Sequence, residues 1–150
     1  MEESATVQNT FQVSLITPRG MLFNGKVTSV RLSTVEGIME LLPRHEAVIA
    51  PMGYAPLEIS LENSDEPEIY AVLGGFLEHD GEKVVILADA AEKSTDIDYF
   101  RAEESRKRAQ SRLDDVHNNA SSNIDEDRAR LALIRSLVRL QASGRRGHKE

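Results

Sequence analysis

Residues 71–102 read AVLGGFLEHDGEKVVILADAAEKSTDIDYFRA, and within this stretch a strand pattern gives way to a helix pattern. Two apolar runs, 71–77 and 84–88, lie on either side of Asp80-Gly81. Because that dipeptide readily adopts the positive φ of a tight turn, the two runs predict a β-hairpin. The segment after the hairpin has a different character, so we expect two kinds of structure in one chain.

The chain before residue 95 has the pattern of short strands. Apolar and polar residues alternate there with the period of two that is typical of half-buried strands. The alternating apolar positions are Phe11, Val13 and Leu15, then Val30, Leu32 and Thr34, then Leu57, Ile59 and Leu61, then Ile69, Ala71 and Leu73. Turns are expected at 18–20, 51–53 and 63–67, where Gly, Pro and Asn occur. Many short strands separated by turns favour an antiparallel sandwich or barrel.

The chain from residue 95 onward has the pattern of a helix. Thr95 and Asp98 have the spacing of a capping box, in which a hydroxyl and a carboxylate satisfy free N–H groups at the helix start. A helix is therefore expected from about Asp96 to about Val116. Its expected apolar face consists of Ile97, Phe100, Ala102, Ala109, Leu113 and Val116.

A second helix is predicted after the polar segment 117–123. Asn123 and Glu126 offer another capping start, and Gly144 is a suitable terminator. The apolar residues between them are Leu131, Leu133, Ile134, Leu137, Val138 and Leu140. Two helices with a short link predict an antiparallel hairpin, which needs another surface to lie against because its own core is small.

These patterns define the predicted fold class as α+β, with an N-terminal antiparallel β-sandwich followed by a C-terminal antiparallel two-helix hairpin. The predicted divisions are a flexible N-terminal tail (1–9), the sandwich (10–95), the hairpin (96–144) and a flexible basic tail (145–150). No apolar run near the N-terminus indicates a signal or transit peptide. No stretch of the sequence approaches the ~20 apolar residues of a membrane span.

Charge is divided in the same way as structure. Residues 1–98 carry 6 basic and 17 acidic side chains, whereas residues 99–150 carry 12 and 8. The net charge of −7 disfavours a nucleic-acid partner. The opposite charges of the two parts indicate surfaces with different partners.

The residues of the usual catalytic and metal sites do not occur in recognisable patterns. The chain has no Cys, which excludes a disulfide scaffold, a thiolate zinc site and a Cys nucleophile. Its four His residues stand singly, so no metal site and no catalytic residue is predicted. Gly74-Gly75 lacks the spacing of a phosphate loop, and paired glycines inside a strand indicate a bulge or a close backbone approach.

Several motifs occur in an order that is characteristic of one family. They are LGGFLE at 73–78, VVILADAAE at 84–92, DID at 96–98 and RA at 101–102. In order, spacing and two-part architecture the chain resembles the epsilon subunit of F-type ATP synthases over about residues 10–142. The family fold is a β-sandwich followed by a two-helix hairpin.

The resemblance implies a non-catalytic rotor subunit of the central stalk that couples proton translocation to ATP synthesis. Its implied partners are the gamma subunit, the c-subunit ring and the catalytic alpha/beta head, with membrane association only through the complex. The implied location is the cytoplasmic face of a bacterial inner membrane, with an organelle as the alternative. The hairpin would inhibit ATP hydrolysis when extended against the head and release that block when folded onto the sandwich.

Two groups of residues carry the regulation implied by the resemblance. Arg128, Arg135 and Arg139 share one broad helix face and can present a basic stripe to an acidic partner, or form an ordinary solvated surface. An ATP-binding motif is matched by Glu92, Ile97, Asp98, Arg101 and Ala102, with Arg128 as a second cation. ATP would be a regulatory ligand, and no cofactor is required. The alternative for Asp98 is capping the helix, and for Arg101 an ordinary surface position.

One loop departs from the family pattern. The family has Gly-Glu-Leu-Gly-Ile-Leu-Pro-Gly-His where this chain has GIMELLPRH at 37–45. Pro43 and His45 are kept and are expected to contact the rotor. Glu40 and Arg44 replace glycines and adopt positive φ poorly, so a different loop backbone is expected.

Two other functions are compatible with this architecture. A stand-alone β-sandwich protein that senses a nucleotide would act as a monomer. A sandwich-fold hydrolase would need a paired acid and base or a metal, and the sequence shows no such set.

Overall fold

The computed structural model describes residues 9–119 and 123–144. The strands are β1 (Phe11–Thr17), β2 (Gly20–Val27), β3 (Ser29–Thr34), β4 (Gly37–Leu41), β5 (Val48–Ser60), β6 (Glu68–His79), β7 (Lys83–Ala88) and β8 (Ala91–Lys93). A 3₁₀ turn (Ser94–Asp96) leads to the helices α1 (Tyr99–His117) and α2 (Glu126–Gly144). The predicted C-terminal tail (145–150), and the predicted N-terminal tail (1–9) except residue 9, lie outside the described residues.

One sheet forms both layers of the sandwich. Its strand order is β2-β1-β7-β6-β5-β3-β4, and β8 pairs with β6. The long strands β5 and β6 cross between the layers, so the side of each strand that faces the core changes along its length. In β5 the core-facing residue is even-numbered at Met52 and odd-numbered at Leu57. The same change occurs in β6 between Val72 and Leu77. The predicted sandwich is confirmed.

Two details of the predicted sandwich are wrong. The ladder between β1 and β7 is parallel, because these strands are distant in the chain and no hairpin turn constrains their direction. The turn expected at 51–53 lies inside β5, where Pro51 pairs with Phe76 and the strand bends between layers. The hairpin between β6 and β7 is confirmed, with Gly81 at φ 100° in its turn.

At Gly75 the backbones of β6 and β7 approach each other closely. The φ of Gly75 is +121°, and a Cβ at this position would collide with the carbonyl oxygen of Leu87. The expected close backbone approach is therefore confirmed, and only glycine fits the space.

The protein has two apolar clusters. The main core fills the space between the layers and includes Val13, Leu15, Leu57, Ile59, Tyr70, Leu77 and Ile86. A smaller cluster joins the outer face of β6 to the hairpin and consists of Ile69, Ala71, Ile97, Ala102, Val138 and Ala142. The hairpin is thus folded against the sandwich.

Both helices begin later than the capping patterns predict. Asp98 itself is the N-cap of α1, its Oδ1 accepting from the N–H of Arg101 at 3.1 Å, so the capping box with Thr95 is wrong. The chain at Ile97 stays extended because that side chain is buried in the smaller cluster. In α2 the capping carboxylate is that of Asp125, at 3.1 Å from the N–H of Arg128.

The helix faces differ from the predicted ones at aromatic and leucine positions. The side chain of Phe100 is 80% exposed, and Leu137 is 40% exposed. Alanines and Ser136 fill the contact instead, because small side chains allow two helices and a sheet to approach closely. The description of α2 reaches Gly144, and the residues that would show the predicted termination there lie outside the described part of the chain.

Candidate functional site: the groove between sandwich and hairpin

An ion pair joins the two parts of the molecule. Arg139 of α2 donates from Nε to Oε2 of Glu92 in β8 at 2.9 Å, and its Nη2 lies 2.8 Å from the same oxygen as an ion pair. Glu92 is positioned by the β6–β8 ladder, in which it lies opposite Ala71. Both side chains are about one-third exposed, so the pair lies at the rim of the buried cluster.

A cavity of about 460 Å³ opens beside this ion pair at the start of α1. Glu92, Asp98 and Arg101 line it together, as do Asp96, Glu104, Ser105, Arg108 and Arg139. We call it the hinge cavity. Of the remaining motif residues, Ile97 and Ala102 are buried in the adjacent apolar cluster.

The structure does not bring Arg128 to the hinge cavity. Arg128 lies at the opposite end of the hairpin, beside Arg112 and Asp125. Arg139 supplies the cation from α2 instead. The predicted topology alone favours Arg139 over Arg128 at this position, since in an antiparallel hairpin the end of the second helix lies beside the start of the first.

A second cavity, of about 580 Å³, lies on the other side of the ion pair. Arg135 and Arg139 line it together with Arg19, Asp89 and Glu92. Two members of the predicted basic stripe therefore face the sandwich in this conformation, whereas Arg128 is exposed and distant.

The loop before β5 keeps a left-handed residue despite its changed sequence. Arg44 adopts φ 65°, the conformation that glycine favours. Pro43 and His45 are partly buried, and the His45 ring stacks on that of His79 with centroids 5.8 Å apart. The expected departure of the backbone is therefore not seen at residue 44, where Arg44 adopts the strained conformation.

His79 is a buried histidine at the end of β6. It is 2% exposed, and its Nδ1 accepts from the N–H of Gly81 at 2.9 Å. Burial, and secondarily the neighbouring His45, lower the pKa of His79. The neutral ring then carries its proton on Nε2, which has no hydrogen-bond partner among the described residues.

Two features are absent from the part of the chain that the structure describes. No group of three His, Asp or Glu residues within 9–119 and 123–144 is arranged to hold a metal ion. In the same residues, neither helix has the length and apolar character needed to span a membrane.

A β-sandwich with a helical hairpin folded against it, and a charged groove between them, defines a class of two-part α+β protein. Family models match both parts: "ATP synthase, Delta/Epsilon chain, beta-sandwich domain" over residues 10–94, and the "long alpha-helix domain" of the same chain over 95–144. The chain therefore belongs to this family, as a non-catalytic epsilon-type subunit of the central stalk of F-type ATP synthase.

Two curated relatives agree with this family assignment, and a solved structure shares the fold. The ATP synthase epsilon chain of Halalkalibacterium halodurans is 39% identical over 136 residues, 91% of this chain and 98% of the relative. That of Bacillus cytotoxicus is 37% identical over 134 residues, covering 89% and 96%. A chain in the cryo-EM structure of the Euglena gracilis mitochondrial ATP synthase (OSCP/F1/c-ring) has a TM-score of 0.72 at 18% identity, covering 89% of this chain and 81% of that one, and so shares the fold.

Proposed function

We propose that this subunit couples proton translocation to ATP synthesis and restrains ATP hydrolysis through its hairpin. The hairpin alternates between the folded position described above and an extended position against the catalytic alpha/beta head. The assembly lies on the cytoplasmic face of a bacterial membrane, to which the subunit is attached through the gamma subunit and the c-subunit ring. The observation that carries this proposal is the contact between hairpin and sandwich.

That contact is weak enough to be reversible. Its apolar cluster contains three alanines, which bury little area, beside Ile69, Ile97 and Val138. The Glu92–Arg139 pair is partly exposed, and such pairs contribute only ~0–1 kcal/mol. Two positions of similar free energy are what a switch requires.

The basic residues of α2 fit the two positions. In the folded position Arg139 is neutralised by Glu92, and Arg135 faces the groove. Extension of the hairpin would release both arginines toward an acidic surface of the head. The same charges thus stabilise the folded hairpin and, once released, the inhibitory one.

The sandwich has a surface suited to docking on the gamma subunit. The strand registers align Pro51, Phe76, Leu87, Ile16 and Met21 in one row across β5, β6, β7, β1 and β2. Three of them are large and exposed: Phe76 at 60%, Leu87 at 53% and Met21 at 55%. We call this the outer apolar row. Since α2 covers the opposite layer, the row stays open in the folded form, as expected of a protein interface.

The hinge cavity is the proposed site for regulatory ATP. Its volume lies within the ~300–1,000 Å³ of ordinary ligand sites. Arg101 is exposed there and can donate to phosphate oxygens, while Asp98 can accept from an adenine amino group or a ribose hydroxyl. Bound between sandwich and hairpin, ATP would stabilise the folded, non-inhibiting position.

The division of labour is tested with ATP synthase assembled from a chain that ends at residue 95. This fragment retains the main core, so we expect it to bind gamma and to support proton-coupled synthesis. ATP hydrolysis should be faster than with the full chain, because the inhibiting element is gone. Unchanged hydrolysis, or a folded fragment that fails to bind gamma, would contradict the proposal.

The docking surface is tested separately by Phe76→Ser with Leu87→Ser in the full chain. We expect gamma binding to weaken by at least about tenfold, since buried aromatic and leucine side chains dominate such interfaces. Phe100→Ser is the control, because Phe100 is an even more exposed aromatic and lies on α1, away from the row. An equal effect of both changes would show that the row is not the docking site.

A further inference from the structure

A third cavity, of about 440 Å³, lies at the end of the sandwich away from the charged groove. Four chain segments meet there: the start of β1, the end of β2, the loop before β5 and the turn after β6. We call it the end cavity. Its lining residues are Thr10, Phe11, Gln12, Lys26, Pro43, Arg44, His79, Gly81 and Glu82.

The end cavity has an excess of positive charge. Lys26 and Arg44 both line it, and neither has an ion-pair partner among the described residues. Glu82 is the opposing carboxylate in the lining. Within the lining itself the two cations outnumber the one carboxylate, and Asp80 lies in the adjoining turn.

His79, which lines the cavity, has a buried hydrogen-bond donor without an acceptor among the described residues. The ring of His79 lies between those of Phe11 and His45, with centroids 6.2 and 5.8 Å away. Because Nδ1 accepts from Gly81, the neutral ring must donate from Nε2, and that atom has no partner among the described residues. A buried donor left without an acceptor is unfavourable, so an anion that accepts from it would be stabilised.

We propose that the end cavity binds a phosphate group, free or as a monoester, held by Arg44, Lys26 and the His79 ring. Arg44 can donate two parallel hydrogen bonds to phosphate oxygens, and Lys26 adds a compact positive charge. The left-handed conformation of Arg44 fits this role, since backbone strain is found where a side chain must be held in one place. The site is separate from the hinge cavity and shares no residue with it.

The test is an NMR titration of the full chain labelled with ¹⁵N-histidine. Inorganic phosphate is added against sodium chloride at matched ionic strength, with glycerol phosphate in a parallel arm. We expect a saturable shift of the His79 Nε2 resonance with phosphate and none with chloride. Saturation by phosphate alone would identify the free ion as the ligand, and saturation by both would show that an ester also fits.

Charge-removing variants decide whether the response comes from this site. Arg44→Gly and Lys26→Gln should each weaken phosphate binding at least about tenfold. Arg44→Gly suits the backbone at this position, so the fold is retained. Arg19→Ala removes a cation from the groove and should bind phosphate normally. No saturable shift, or an equal loss in all three variants, would overturn the proposal.

Discussion

Arg139 donates a hydrogen bond from Nε to Oε2 of Glu92, a residue 47 positions earlier in the chain, and its Nη2 forms an ion pair with the same oxygen at 2.8 Å. The pair closes the groove between α2 and β8 and separates the two cavities that flank it. Any movement of the hairpin away from the sandwich must break this pair, so its loss should shift the balance of the two positions.

We expect Arg139→Ala to increase opening of the hairpin by up to about fivefold, which corresponds to a partly exposed pair of ~0–1 kcal/mol. Hydrogen exchange of the α2 amides measures this opening. Arg130→Ala is the matched control, since Arg130 pairs only within α2, with Glu126. The prediction is contradicted when both variants exchange at the same rate or when added salt leaves the difference unchanged.

Contact with the head can be separated from contact with the sandwich by using Arg128. Its side chain is exposed and far from the groove, so Arg128→Ala should leave the folded position intact. We expect the assembled enzyme to hydrolyse ATP about two- to fivefold faster at low salt, where a lost surface charge pair has most effect. Lys107→Ala, a charge-matched change on α1, should not alter the rate. Equal rates for wild type and Arg128→Ala would show that Arg128 does not contribute to contact with the head.

Nucleotide binding should depend on Arg101 and not on Arg128. Titration calorimetry of the isolated subunit with ATP should show affinity reduced at least about tenfold by Arg101→Ala, because a charged hydrogen bond to phosphate is lost. Arg128→Ala should bind like the wild type, since Arg128 lies at the other end of the hairpin. Absence of heat with the wild type, or loss of binding in both variants, would exclude ATP from the hinge cavity.

Stability should fall as the solution becomes acidic because of His79. Its pKa is lowered in the folded protein, so the folded state binds fewer protons than the unfolded state, whose histidines titrate near 6.5. The contribution is complete above that value and is lost as the pH falls below it. Denaturant unfolding at about pH 7.5 and about pH 5.5 should show a smaller loss in His79→Phe than in the wild type. An equal loss would assign the dependence to other groups.

Arg44→Gly should stabilise the protein by up to about 1 kcal/mol. A left-handed conformation costs a residue with a Cβ about 1–2 kcal/mol, and the greater freedom of glycine when unfolded offsets part of the gain. Arg44→Ala removes the same charge but keeps the strain, so it should show no gain. Thermal unfolding in phosphate-free buffer would measure both, and a gain in both variants would point to charge instead.

Much of the fold follows from local patterns, and the exceptions have physical causes. Alternation predicts β1 and β3 because each keeps one face to the core throughout. It fails for β5, whose core-facing side changes where the strand crosses between layers. The predicted start of α1 is too early because burial of Ile97 overrides the local capping preference.

The site was predictable where its residues are close in sequence. Asp98 and Arg101 lie within one turn of each other and meet at the hinge cavity. Arg139 was predicted only for the basic stripe, because its pairing with Glu92 depends on how α2 lies across the sheet. The stacked rings of His45 and His79 likewise come together only through tertiary structure.

The alanines beneath the hairpin have a further consequence for the protein's solubility. A helix that packed mainly on leucines would expose a large apolar surface each time it moved away. Here departure of α2 would uncover Ile69, Ala71 and the partly buried Leu73 on the sheet, and Val138, Ala142 and the partly buried Leu140 on the helix. Because two of these side chains are alanines, opening exposes less apolar area than an all-leucine contact would, which limits association of the open form with other proteins.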